Sequence, residues 1–387
     1  MDDTFLKQDG LAPSYDPYDL WATPVGVRVK NSFYKGKILG RFSAVVLAVI
    51  DWVLPIFSRK IFFCEKSVYP ISVALEIMSR SKNEITAEES KNMISILRSI
   101  SVSSAAHNYA WGLGFNWMSK NGLYDIETPF VTHTPYVMES LVFLKGVSSV
   151  SEEAINMFIG TERFLDSLLV MHETEEELAL SYAPLQEPRI VVNANSYAAF
   201  AYALHVIHGR DNFKPEAIEK INKLVRWIVS QQNNDGSWFY YADTEQGNFI
   251  DCFHSCFVVK NLIKIKMLIP SVEEVIGEAI DNGWKFIVEN FYVENKGLCN
   301  RFVERDIRDP FQWDLYDQAE YLGLLLDFEM YDDAHDFIEH VERMFESKGS
   351  WYSRIDVFGC KWGKDFLRWG IIPFKYQKQR YINLKES

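Results

Sequence analysis

Asp251 and His254 have the types and spacing that most plainly suit catalysis in this chain. They lie three residues apart in the run Asp251-Cys252-Phe253-His254-Ser255-Cys256, so a first helical turn would put them on one face. A carboxylate beside an imidazole orients the ring and raises its basicity, as a general base requires. The plainer alternative is a helix-capping Asp beside a rim His. Cys252, His254 and Cys256 also have soft-ligand chemistry. On a helix, however, Cys-x-His-x-Cys cannot turn all three toward one ion, so no tightly bound metal is expected. No cofactor is expected either.

A second candidate cluster is Trp313-Asp314-Leu315-Tyr316-Asp317. Asp251 and Asp314 could supply a general acid and base across a sugar, and the Tyr316 phenol could serve as acid or base. Asn193 and Asn195 can bond sugar hydroxyls as donor and acceptor at once; alternatively they cap a helix. Trp117, Tyr182, Trp238 and Trp369 offer aromatic faces for sugar rings. Arg301, Arg354 and Arg368 could grip a carboxylate or phosphate, or pair with an acidic surface. The turn Gln232-Asn233-Asn234-Asp235-Gly236-Ser237-Trp238 also reads as purely structural, because Asn-Asp-Gly supplies a positive φ and Trp238 then packs.

These residues fall on a repeat. Polar, aromatic stretches open near Pro70, His133, Asn193, His254, Tyr316 and Arg368, at spacings of 52 to 63 residues, and each runs into an apolar segment. Such a period signals stacked or circular repeats. Between the openings lie amphipathic helices: a capping box at Thr86-Ala87-Glu88-Glu89, a second at Ser271-Val272-Glu273-Glu274, and a first-turn proline at Pro215. The segments after the openings, such as Tyr197–Ile207 and Phe257–Leu268, are apolar all round and so buried on every side. An amphipathic outer helix, a polar loop and a buried inner helix, repeated six times, predict an all-α (α/α)6 toroid over 65–387. Its polar loops would share one mouth. Residues 1–64 form an arm, read as irregular over 1–30, with an apolar extension after it. No long strand is expected, only short hairpins in the loops.

Composition narrows the partners. A formal net charge of −13 disfavours nucleic acid. Hydrophobic residues at 48% and charged residues at 24% fit a globular domain. The start, Met1-Asp2-Asp3-Thr4, lacks the pattern of a secretion signal. Five scattered cysteines suit a reducing compartment, so a cytoplasmic location is expected. The segment 42–57, FSAVVLAVIDWVLPIF, is short for a bilayer span and contains Asp51 and Pro55. It reads either as a buried helix docking the arm or as a peripheral membrane contact with basic flanks.

Taken in order, Trp111-Gly112-x-x-Phe115-x-Trp117, Thr134-Pro135, Ser181-Tyr182, Val192-Asn193-Ala194-Asn195, Gln232 to Trp238, Asp251-x-x-His254-Ser255-x-Phe257 and Arg368-Trp369-Gly370 resemble signature positions of the VpsJ-like polysaccharide-biosynthesis family. The resemblance spans about residues 105–372. It implies a fold similar to six-hairpin glycosidases, sugar epimerases and polysaccharide lyases. It also implies a role in building exopolysaccharide, capsule or lipopolysaccharide on a glycan that is free or lipid-linked. The family usually has His-Thr-Gly where this chain has His254-Ser255-Cys256, and tends to have Asp-Ile-His where it has Asp314-Leu315-Tyr316. Three readings follow: a sugar epimerase, lyase or hydrolase using the Asp–His pair; a non-catalytic glycan-binding scaffold; and a prenyl- or peptide-acting toroid.

Overall fold

The computed structural model describes residues 10–82, 85–103, 108–303 and 309–386; the chain start at Met1–Thr4 lies outside them. The arm is more regular than its prolines and glycines suggest. It holds α1 (Asp19–Ala22), α2 (Pro24–Tyr34), α3 (Ile38–Val53) and α4 (Pro55–Ile61). The prolines explain the difference: Pro24 and Pro55 each open a helix, where a missing N–H costs nothing.

The hairpins follow in order. They are α5 (Pro70–Met78) with α6 (Ala87–Ser99), and α7 (Thr134–Lys145) with α8 (Ser151–Gly160) and the short α9 (Glu162–Ser167). Next come α10 (Val192–His208) with α11 (Lys214–Ser230), α12 (Cys252–Leu268) with α13 (Glu273–Phe291), and α14 (Leu315–Asp327) with α15 (Tyr331–Phe345). Last is α16 (Ile372–Glu386). Helices α5, α7, α10, α12, α14 and α16 pack successively into a closed inner ring, and α16 returns to α5. A buried ion pair, Lys375 Nζ to Glu76 at 2.7 Å, seals that joint. Each inner helix begins at or within a few residues of an opening read from the repeat.

The outer helices bury one stripe each. In α15 the stripe is Ala334, Phe337, Ile338, Val341 and Phe345. Thr86 and Glu89 form the expected reciprocal capping box. The second box does not form: Ser271 lies in a single 3₁₀ turn over Pro270–Val272, and α13 starts uncapped after Val272. Pro270 sets that turn and takes Ser271 out of the capping position.

The loops carry short antiparallel hairpins: β1 (Trp117–Ser119) with β2 (Gly122–Tyr124), β3 (Val170–Glu173) with β4 (Leu178–Leu180), and β5 (Tyr292–Val293) with β6 (Leu298–Cys299). Larger than expected is a sheet of β7 (Phe311–Asp314), β8 (Glu346–Ser347), β9 (Ser350–Asp356) and β10 (Lys361–Lys364), in which β9 pairs all three others. In it, positions 351, 353 and 355 alternate as buried with half-buried neighbours, a period-2 pattern hidden among loop residues.

Candidate functional site

One cavity of about 310 Å³ opens where the N-terminal ends of the inner helices converge. Ile71 (α5), Tyr136 (α7), Asn193 (α10), His254 (α12), Tyr316 (α14), and Arg368 and Trp369 just before α16 all line it. The arm adds Tyr18 and Tyr34. Two glycines let the loops close this tightly. Gly236 holds φ +89° in the Asn233–Ser237 turn, and Gly370 holds φ +92°. A side chain at Gly370 would meet the Tyr316 backbone nitrogen at 2.7 Å, so only glycine lets the last loop approach α14.

Asp251 precedes α12 in an extended conformation and makes no side-chain cap. Its carboxylate turns instead to His254: Nδ1 lies 2.7 Å from Oδ1 and 2.9 Å from Oδ2. A carboxylate accepts, so Nδ1 carries the donated proton and Nε2 is left as the basic nitrogen. Asp251 is 1% exposed and the His254 side chain 21%, so the ion-orienting group is dry and the ring reaches the cavity. Phe253, at 3.9 Å between centroids, and Tyr240, at 4.6 Å, clamp the ring. Arg301 Nη2 stands 3.9 Å from Asp251.

Asp314 is placed differently. Its Oδ1 accepts the Tyr316 N–H at 2.9 Å and caps α14. Its Oδ2 accepts from Arg354 Nε (2.8 Å), Trp369 Nε1 (2.8 Å) and Arg301 Nη1 (3.2 Å). It does not line the cavity; it anchors two arginines and a tryptophan behind the wall. Arg354 faces a separate small recess with Asp314. Asn195 is likewise internal, bonding Leu180 N, Leu180 O and Val191 O. Trp238 packs in the core with Nε1 on Ile228 O at 2.9 Å. Trp117, Tyr182, Asn193, Arg301, Arg368 and Trp369 do line the cavity, together with Asp251, His254 and Tyr316.

Three lining side chains present buried polar atoms with no partner: His133 Nε2, Asn193 Oδ1 and Arg368 Nη2. Burial pulls the His133 pKa down to about 3, the Arg368 charge adding to this, so the ring is neutral at ordinary pH. Arg368 Nε is held by Asp16 Oδ2 at 2.6 Å, which fastens the arm to the mouth. Unmet buried polar atoms are costly and rare, and these three belong to side chains that line the cavity.

The floor was invisible in the loop motifs. Tyr136 Oη lies 2.9 Å from Tyr197 Oη. Lys260 Nζ donates to Tyr136 Oη at 3.0 Å and to Glu320 Oε2 at 2.6 Å. Burial pushes the Tyr316 phenol well above its ordinary pKa, Tyr136 and Glu320 adding to the shift, so it stands protonated. Asp317 is pushed well above the carboxylate range, again by burial first, with Arg301 opposing and Asp314 and Asp251 reinforcing. Burial alone would lower the Arg301 pKa, but Tyr18, Asp317, Asp314 and Asp251 outweigh it and the guanidinium stays charged. A lysine and a glutamate inside otherwise apolar helices were the available signal for this floor.

Cys252 and Cys256 are buried with their sulfurs 4.0 Å apart, beside buried Cys299. Burial raises all three thiols. His254 is committed to Asp251. Among the described residues no group of three His, Cys, Asp or Glu side chains is arranged to hold a metal ion. No helix among them is long and apolar enough to cross a membrane.

No protein-family model and no curated protein sequence matches the chain. Solved structures do match in fold. A sugar epimerase from a ruminal bacterium superposes with a TM-score of 0.57 at 12% identity, over 82% of this chain and 88% of that one. A D-mannose isomerase superposes with a TM-score of 0.58 at 14% identity, over 83% and 89%. A family 76 α-mannanase from Bacteroides thetaiotaomicron gives 0.54 at 12% identity, over 82% and 84%. The chain therefore has the (α/α)6 toroid fold.

Proposed function

We propose that the cavity catalyses proton transfer at a sugar carbon next to a carbonyl, as in epimerisation or isomerisation of a saccharide. The observation that carries this reading is the Asp251–His254 pair facing a cavity on which Asp251 is the one lining carboxylate among the described residues. Two-carboxylate hydrolysis needs a second free acid across the sugar, and Asp314 is tied behind the wall. In the proposed step His254 Nε2 takes the C–H proton. The electron pair moves to the carbonyl oxygen, giving an enediol once Tyr316 donates its proton there, and Arg301 offsets the charge in between. Once the enediol turns over in the cavity, His254 returns the proton to the opposite face of the same carbon while the new O–H gives its proton back to the Tyr316 phenolate, which inverts that carbon. Returning the His254 proton to the neighbouring carbon, while the hydroxyl of the first carbon gives its proton to the Tyr316 phenolate, moves the carbonyl.

The aromatic walls of Trp117, Tyr182 and Trp369 suit a sugar ring, and His133 Nε2, Asn193 Oδ1 and Arg368 Nη2 suit its hydroxyls or an acidic group. Sugar epimerase and isomerase structures of the same fold support the substrate class. The resemblance of the ordered motifs to the VpsJ-like family supports a cytoplasmic place in surface-polysaccharide assembly, on a glycan that is free or lipid-linked. The test is incubation of the purified protein with reducing sugars and uronic acids in D₂O. The reading expects enzyme-dependent deuterium at a carbon beside the carbonyl, seen by NMR. Saccharide binding with no exchange would favour a glycan-binding module instead.

A further inference from the structure

We infer that the outer face of the arm docks on an anionic lipid bilayer. Helix α3 exposes Ile38, Phe42, Val45, Val49 and Val53 along one stripe, with Ile38 at 87% and Phe42 at 67% exposure. Of its residues only Gly40, Leu47 and Asp51 are buried, so the expectation of a buried helix fails. The stripe continues into α4 through Phe57, and Phe63 follows at 88%. Large apolar side chains usually scatter singly on a surface, whereas a contiguous face of this kind marks an interaction site.

The helix is held so that this face points outward. Trp52 Nε1 donates to Asp356 Oδ2 at 3.0 Å, and Trp362 Nε1 donates to the Asp51 carbonyl at 3.0 Å. Arg59, fully buried, pairs with Asp51 at 2.6 Å and Asp19 at 2.9 Å. The opposite side of α3 is thus tied to the sheet and the rest of the arm.

Charge selects the occupant. Residues 24–63 carry seven basic side chains and one acidic one, Asp51, in a chain of net charge −13. Lys35, Lys37 and Arg41 sit exposed at the start of α3, and Lys60 sits exposed on α4. A second copy of this face would set like charges together, which opposes association. An anionic bilayer attracts them, each basic residue near the surface contributing on the order of 1 kcal/mol. At 16 residues, α3 is about 24 Å long, too short to span a hydrocarbon core of about 30 Å. It lies in the interface instead. The same arm lends Tyr18 and Tyr34 to the cavity, so docking sets the mouth beside the membrane. That a lipid-carried saccharide is presented there rests on the proposed function.

The test is co-sedimentation of the full chain with phosphatidylcholine vesicles with and without phosphatidylglycerol, alongside sedimentation velocity without lipid. The expected result is a monomer that partitions onto the anionic vesicles and releases in high salt. Phe42→Glu should weaken binding about tenfold or more, from the lost burial of one large apolar side chain. Lys35→Glu with Lys37→Glu should remove the preference for anionic vesicles. Unchanged circular dichroism would show that these exposed substitutions leave the fold intact. Failure of the wild type to bind anionic vesicles would overturn the inference. So would a lipid-free dimer that Phe42→Glu dissociates. Deuterium exchange on a water-soluble sugar needs no membrane, so the two proposals fail separately.

Discussion

The mouth and the lower axis of the toroid treat buried polarity in opposite ways. Along the axis, Lys260 meets Glu320 at 2.6 Å, and Lys264 meets both oxygens of Glu139 at 2.7 and 2.8 Å. These pairs join α12 to α14 and α7 with their charges matched. At the mouth, His133 Nε2, Asn193 Oδ1 and Arg368 Nη2 are buried and unmet. Paired charges fix the inner ring, while side chains that line the cavity keep buried polar atoms without partners. Substitutions should therefore separate cleanly: axis changes cost stability, and mouth changes cost activity.

The largest stability effect is expected at Lys260. Lys260→Met leaves Glu320 buried without its partner and should cost about 3–5 kcal/mol in urea denaturation. Adding Glu320→Leu should recover most of that loss. If the single variant were as stable as the wild type, the axis would not be rigidified by this pair. At the mouth, Asp251→Asn should lower kcat on the order of 10²-fold or more, by releasing the His254 tautomer, with little change in Tm. A matching fall in Tm would make Asp251 structural.

Two histidines whose pKa values are pulled down to about 3 sharpen the comparison through pH. Burial holds both His133 and His205 at about 3, with Arg368 adding at His133 and Arg210 and His208 at His205. An unfolded histidine titrates near 6.5, so below that pH the unfolded chain binds protons that the folded chain refuses. Their stabilising effect is full above about pH 6.5 and is lost as pH falls toward 3, at roughly 1.4 kcal/mol per pH unit for each group. Denaturation at pH 7 and pH 5 should show a smaller acid loss in His133→Asn than in the wild type. The smallest effect is expected at Asn193. Asn193→Ala should raise KM about tenfold, the worth of about one hydrogen bond. Because Oδ1 has no partner, Tm should hold steady or rise.

Much of this division was legible in the sequence. The period placed all six inner helices, because a buried ring helix must be apolar all round and its polar loop must precede it. The i,i+3 spacing placed Asp251 on His254. Asp314 and Trp238 were harder, since residue type cannot tell a wall from the layer behind it: Asp314 satisfies its helix end and two arginines before any ligand could reach it. Asn195 went the same way, its amide drawn to the β4 backbone. The floor escaped because Tyr136, Tyr197, Lys260 and Glu320 come from four helices far apart in the chain, and no local pattern joins them. The sheet of β7 to β10 escaped because its strands are interrupted by loop residues and share no run.

The most direct test of the central claim is solvent deuterium exchange into a turned-over saccharide by His254→Ala beside the wild type, with Tm recorded for both. The account predicts exchange reduced by roughly 10²–10⁴-fold at an almost unchanged Tm, because the ring lies at the rim of the core. Exchange at the wild-type rate in a folded variant would contradict it and remove the Asp251–His254 pair from the chemistry.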